Sequence, residues 1–158
     1  MKFLRYTHLF YFLATWIYVF IFIKPKRIKE LIPVAVLGFI VLSTVDFYIV
    51  SLGLYQYNKP LFNIFGAPLF HLLWGGGAAI VYIHYMKPGF TRKFVNVILF
   101  TMITLAFEFI SEKAGVAQRL GNYDFLHSAL LDFAALVVLL WIAEGLYGNR
   151  IYRDWKDW

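Results

Sequence analysis

The chain contains no cysteine, which excludes disulfides, thiolate chemistry and zinc sites built on sulfur. Charge is also scarce. Asp, Glu, Lys and Arg make up 15% of the residues, against about 25% in a typical soluble domain. Several motifs are missing. There is no phosphate-binding glycine loop, nucleophile elbow or kinase signature, and neither HExxH nor ExxH occurs. The sequence therefore predicts no cofactor and no metal. No stretch is low-complexity.

What is present is apolar. Of 158 residues, 61% are hydrophobic and 21% aromatic, and the mean hydropathy is +0.68. A compact soluble fold of this length could not bury so much apolar surface, so the natural solvent is a bilayer. A spanning helix needs roughly 20 mostly apolar residues. Five candidates occur, at 6–23, 31–53, 67–86, 94–113 and 125–147. The expected fold is an all-α integral membrane bundle in a single domain. The first span follows Lys2 and Arg5 but has no small-residue cleavage site, and KPKRIKE comes directly after it, so it is expected to be retained.

The net charge of +6 reads as membrane topology rather than nucleic-acid binding. One set of connections and tails carries ten Lys/Arg: Lys24, Lys26, Arg27, Lys29, Lys87, Arg92, Lys93, Arg150, Arg153 and Lys156. The other carries five: Lys2, Arg5, Lys59, Lys113 and Arg119. The richer side is expected to be cytoplasmic, which places the N-terminus outside and the C-terminus inside a cell membrane. Trp155 and Trp158 in the tail read as an interfacial anchor.

An ionisable residue inside a span is a functional-site hypothesis. Asp46, His71, Glu108, His127, Asp132 and His8 all fall in the outer half of their spans, because successive spans alternate in direction. Helical spacing puts them on polar or small stripes. Thr101, Thr104, Glu108 and Glu112 share one face of span four. Ser43, Asp46 and Gly53 share one in span two. His71, Gly75, Ala78 and Tyr82 do so in span three, and His127, Asp132 and Ala135 in span five. His8, Tyr11, Thr15 and Tyr18 do so in span one. These stripes are expected to line a cleft open to the outer side.

Each feature also has a structural reading. Glu112 sits at the end of its span and can pair with Lys113 or Arg119; His8 and His127 read as interfacial. Asp46 and Glu108 lie about two turns and one turn deep, at about 5.4 Å per turn. There they serve either as a clasp between helices or as acid and base. The run WGGGAAIV, residues 74–81, carries Gly75 and Ala79 in a small-xxx-small pattern, which favours close helix packing; glycines facing a ligand are the alternative. His84 and Glu144 read as interfacial at the inner end. A weak internal echo is present as well. Asp46 precedes Gly53 by the same interval as Glu108 precedes Gly115, so spans two–three and four–five read as a diverged helix-pair repeat.

From Asp46 to Leu140 the chain resembles a family of small, uncharacterised multi-pass membrane proteins of spore-forming Gram-positive bacteria. The residues that carry the likeness are Asp46, GLYQYNKPL, the MKPG turn, FEFISEKAG and NYDFLHSALLDF. This resemblance implies a bacterial membrane topology rather than an activity. More loosely, the order Asp46, Gly53, Tyr55, Tyr57, Pro68, His71 is similar to the lycopene-cyclase-type membrane domain. In that domain paired glutamates supply catalytic acid where Phe70 and His71 stand here. What this likeness implies is a cleft for a prenyl or acyl chain.

Three functions compete. The first is a non-enzymatic membrane protein that binds a lipid or prenyl chain, or serves in assembly, with membrane lipids as partners and the polar cluster fixing helix register. The second is an intramembrane acid–base enzyme on a lipid or isoprenoid. In it Glu108 and Asp46 exchange protons, His71 and Asp132 assist, and a protonated carboxyl acts as general acid. The third is a proton or cation carrier working as a homo-oligomer. Candidate ligand-binding residues are Tyr55, Tyr57, Trp74, Gly75, Thr104, Glu112, Arg119, Tyr123 and His127.

Overall fold

The computed structural model describes residues 6–58 and 60–152. Lys2, Arg5, Lys59, Arg153, Lys156 and the anchor tryptophans Trp155 and Trp158 lie outside the described residues. The chain forms an all-α bundle of five helices. These are α1 (Thr7–Phe22), α2 (Pro25–Ser51), α3 (Leu69–His84), α4 (Phe90–Lys113) and α5 (Phe125–Tyr147), and a 3-10 turn over Gly148–Tyr152 follows. Three of them, α2, α4 and α5 with its 3-10 extension, are long and apolar enough to cross a membrane. Large apolar side chains such as Phe10, Phe20, Phe47, Leu99 and Trp141 face outward, as they do where lipid rather than water surrounds a bundle. The chain is a membrane protein.

Helices α1 and α3 have 16 residues each, about 24 Å at 1.5 Å per residue. Helix α2 is longer than the sequence pattern implies. It starts at Pro25, not near residue 31, so most of KPKRIKE is helix rather than loop. Proline at the first helical position needs no N–H partner and fixes a helical φ, which explains the early start. Arg27 is consequently buried, and its Nη2 donates to the Ile151 carbonyl at 2.6 Å.

Small residues set the spacing of α2 and α3. A side chain at Gly38 would run into Ala79 and would lie 2.8 Å from the Gly75 carbonyl oxygen. One at Gly75 would lie 2.5 Å from Leu42 Cδ2. The glycine run is thus consumed by helix packing, the first of its two expected roles. Around it lies an apolar core that includes Val19, Leu31, Val34, Ile80, Tyr82 and Ile83. This core occupies the half of the bundle where α1 joins α2.

The other end is built twice. Helix α2 closes with Gly53 at φ +67, where Gly53 N–H donates to Val50 O and Leu54 N–H to Ile49 O. Helix α4 closes with Gly115 at φ +69, where Gly115 N–H donates to Glu112 O and Val116 N–H to Ser111 O. Both are Schellman closures, which need a left-handed residue that glycine supplies without strain. Each leads into a short strand, β1 (Tyr55–Tyr57) or, later in the chain, β4 (Ala117–Arg119), and the two pair antiparallel. Between β1 and α3 the loop makes a small hairpin of β2 (Asn63–Ile64) and β3 (Ala67–Pro68). Asn58 N–H donates to Val116 O and Leu120 N–H to Leu54 O, both at 2.8 Å. A shift of 62 positions carries each partner of one bond onto its counterpart in the other. The expected helix-pair repeat is therefore visible as a local two-fold through the β1–β4 ribbon.

Candidate functional site

Beneath the ribbon lies a small cavity of about 50 Å³. Helix α2 supplies Leu42, Val45, Asp46 and Ile49 to its wall. Helix α4 supplies Thr104, Phe107, Glu108 and Ser111, the same four positions of the second repeat. His71 and Trp74 come from α3, Asp132 from α5, His8 and Tyr11 from α1, and Tyr55, Tyr57 and Tyr123 from the ribbon and the loop beyond it. Each of the five helices thus brings part of its polar stripe to one cavity, at the end that the alternation of spans predicts.

Asp46 is 3% exposed. Its Oδ1 accepts from the Tyr57 hydroxyl at 3.0 Å, and His71 Nε2 lies 3.4 Å from Oδ2. The His71 ring stacks on Trp74, with centroids 5.5 Å apart. Burial, reinforced by the Asp46 carboxylate beside it, pushes the Tyr57 phenol well above its ordinary pKa. Tyr57 therefore stays a hydrogen-bond donor to Asp46. Burial also raises the pKa of Tyr55 next to it. Across the cavity, Thr104 Oγ1 lies 2.7 Å from Asp132 Oδ2.

Glu108 does not meet Asp46 directly. Arg119, projecting from β4, holds Glu108 with Nη2 and Glu112 with Nη1, both at 2.7 Å. Its Nε donates to Ser128 Oγ at 3.0 Å. The two glutamates of α4 are thereby clamped by one guanidinium, whose planar fork suits two acceptors at once. Glu112 takes the second of its two expected partners, Arg119, while Lys113 Nζ sits over the Phe109 ring instead.

Two residues depart from expectation. His127 does not reach the cavity. Its side chain is 56% exposed and closes the start of α5, where Asp124 Oδ1 accepts from the Leu126 and His127 N–H groups and lies 2.7 Å from His127 Nδ1. A cap of this kind satisfies helix N–H groups that have no other partner, so the residue belongs to helix closure. His8, read from sequence as interfacial, is 6% exposed and lines the cavity, and neither ring nitrogen has a hydrogen-bond partner among the described residues. Its ring lies 5.3 Å from that of His71 and 5.6 Å from that of Tyr57. The stripe His8, Tyr11, Thr15, Tyr18 was the signal available for it. Gly75 lies outside this cavity, against Leu42.

A second, larger space adjoins the first. Helix α2 packs along α5, but the equivalent pair, α3 and α4, stands largely apart. The gap is an apolar groove of about 650 Å³ lined by α1, α3 and α4. It runs from Tyr18, Tyr85 and Asn96 at one end to Trp74, Thr104 and Phe107 at the other. The last three also line the polar cavity, so they form the partition between the two spaces. Among the described residues no group of three His, Asp or Glu side chains is arranged to hold a metal ion. No known protein family, curated protein or solved structure matches the chain.

Proposed function

We propose that this protein binds a single-chain lipid, acyl or prenyl, with the chain in the α1–α3–α4 groove and the polar end in the carboxylate–histidine cavity. The observation that carries the reading is the break in the repeat. Where symmetry would pack α3 on α4, an apolar groove of about 650 Å³ adjoins the polar cavity instead. That volume falls within the roughly 300–1,000 Å³ usual for ligand pockets. The polar cavity, at about 50 Å³, holds an end group but no chain. The Lys/Arg count supports a cell-membrane orientation with the β1–β4 ribbon outside.

The test is the lipid that accompanies the purified protein. Mass spectrometry of the extract should find a single-chain lipid at about one per chain. Ala14→Trp and Ala78→Phe, which fill the groove, should remove it while leaving the melting temperature in detergent close to that of the parent. Lipid content unchanged in both folded variants would overturn the reading.

An enzymatic reading is favoured by one contact, His71 Nε2 beside Asp46 Oδ2, with Tyr57 on the other oxygen. An imidazole beside a carboxylate is an arrangement suited to proton transfer. Asp46→Asn with an unchanged cellular lipid profile, in a variant that still folds, would remove that reading.

A further inference from the structure

We propose that the polar cavity selects a cationic end group, the ammonium of a single-chain amphiphilic amine. This inference rests on the lipid-binding reading and adds the chemical class of the ligand.

The cavity wall is rich in carboxylates. Asp46, Glu108 and Asp132 line the cavity, and Arg119, the cation paired to it among the described residues, is occupied by Glu108, Glu112 and Ser128. Asp46 accepts from Tyr57 and lies beside His71, and Asp132 accepts from Thr104, so neither has a Lys or Arg partner among the described residues. An anionic end group such as a phosphate or a carboxylate would add a further negative charge to this surface, away from water, at high cost.

Among the described residues, both ring nitrogens of buried His8 lack hydrogen-bond partners, and Asp46 Oδ2 accepts no hydrogen bond. A neutral imidazole offers one acceptor nitrogen and a carboxylate offers several lone pairs, whereas an ammonium brings three donors and needs no acceptor. The aromatic wall adds to this. Tyr11, Tyr57, Trp74 and Phe107 border the cavity, and ring faces attract cations.

A cavity of about 50 Å³ admits a primary ammonium but not a phosphodiester head. The alkyl chain would pass Trp74, Thr104 and Phe107 into the groove.

The test uses the full chain in nanodiscs of phosphatidylcholine, with empty discs as blank. Equilibrium binding of radiolabelled dodecylamine, dodecanol and dodecanoate is compared. Dodecylamine should saturate at one per chain and bind about tenfold or more tighter than dodecanol, because charge-assisted hydrogen bonds are roughly twice as strong as neutral ones. Asp132→Asn and His8→Phe should each weaken dodecylamine more than dodecanol. Equal saturable binding of amine and alcohol overturns the amine assignment and leaves chain binding standing. Tighter dodecanoate binding also overturns it. No saturable binding of any of the three overturns both readings. If the variants do not fold, the ratio of amine to alcohol on the parent protein decides.

Discussion

Gln56 faces Gln118 at the centre of the β1–β4 ribbon, and Gln118 Nε2 donates to Gln56 Oε1 at 3.3 Å. The pair marks the local two-fold that relates α2 to α4, and it sits above the cavity both helices line. Because the closures on either side are equivalent, they should be equally sensitive. Gly53→Ala and Gly115→Ala each place a side chain at positive φ, with open space around it. Each should cost about 1–2 kcal/mol, measured by denaturant unfolding in detergent. A cost confined to one of the two would contradict the equivalence.

Removing the Arg119 side chain strands two carboxylates. Its side chain is 12% exposed and those of Glu108 and Glu112 are 22% and 23% exposed, so the cost falls below that of a fully buried pair. Arg119→Ala should destabilise by about 2 kcal/mol. Arg119→Lys should recover little, because one ammonium does not reproduce a fork that spans two carboxylates and a serine. A double-mutant cycle with Glu108→Gln measures the coupling, and a lysine variant as stable as the parent would refute the clamp.

Two glycines in helices should respond with opposite signs. Gly38→Ala forces a methyl against Ala79 and the Gly75 carbonyl, an overpacking that should cost about 1–3 kcal/mol. Gly145→Ala meets nothing within 4 Å and should stabilise by up to about 1 kcal/mol through helix propensity. Thermal unfolding of the two variants side by side provides the comparison.

The cap of α5 should carry a pH signature. Asp124 is held below the ordinary carboxylate range, first by the His127 backbone N–H and then by the His127 side chain. A depressed folded-state pKa contributes stability above the unfolded value and loses it as pH falls through the folded one. Acidification from neutral pH should therefore destabilise the parent more than Asp124→Asn. Melting curves that fall in parallel would count against the cap.

Because the chain has no cysteine, single-cysteine reporters can test its orientation directly. Gln118→Cys, on the ribbon, should react with a membrane-impermeant maleimide applied to intact cells. Lys87→Cys, in the turn after α3, should react only after lysis. The reverse pattern would invert the proposed topology and leave the cavity at the same end as the ribbon.

Much of this molecule was legible in one dimension. Apolar runs marked the helices, and helical periodicity put Asp46, His71, Glu108 and Asp132 on inward stripes. Alternating direction placed those stripes at one end. The matching intervals Asp46–Gly53 and Glu108–Gly115 revealed the repeat. All of these are local or periodic signals, fixed by helix geometry and the cost of polar groups in hydrocarbon. The tertiary structure decided what each group meets. Glu108 meets Arg119 because a Schellman turn sends the chain back over its own helix. His8 is internal because α1 lays Tyr11 against Phe107 and Ser111 at that end. The ribbon joins strands of three residues each, too short for an alternating pattern to announce them. The groove exists because α3 and α4 do not close as α2 and α5 do, and a missing contact between distant segments leaves no trace in either one.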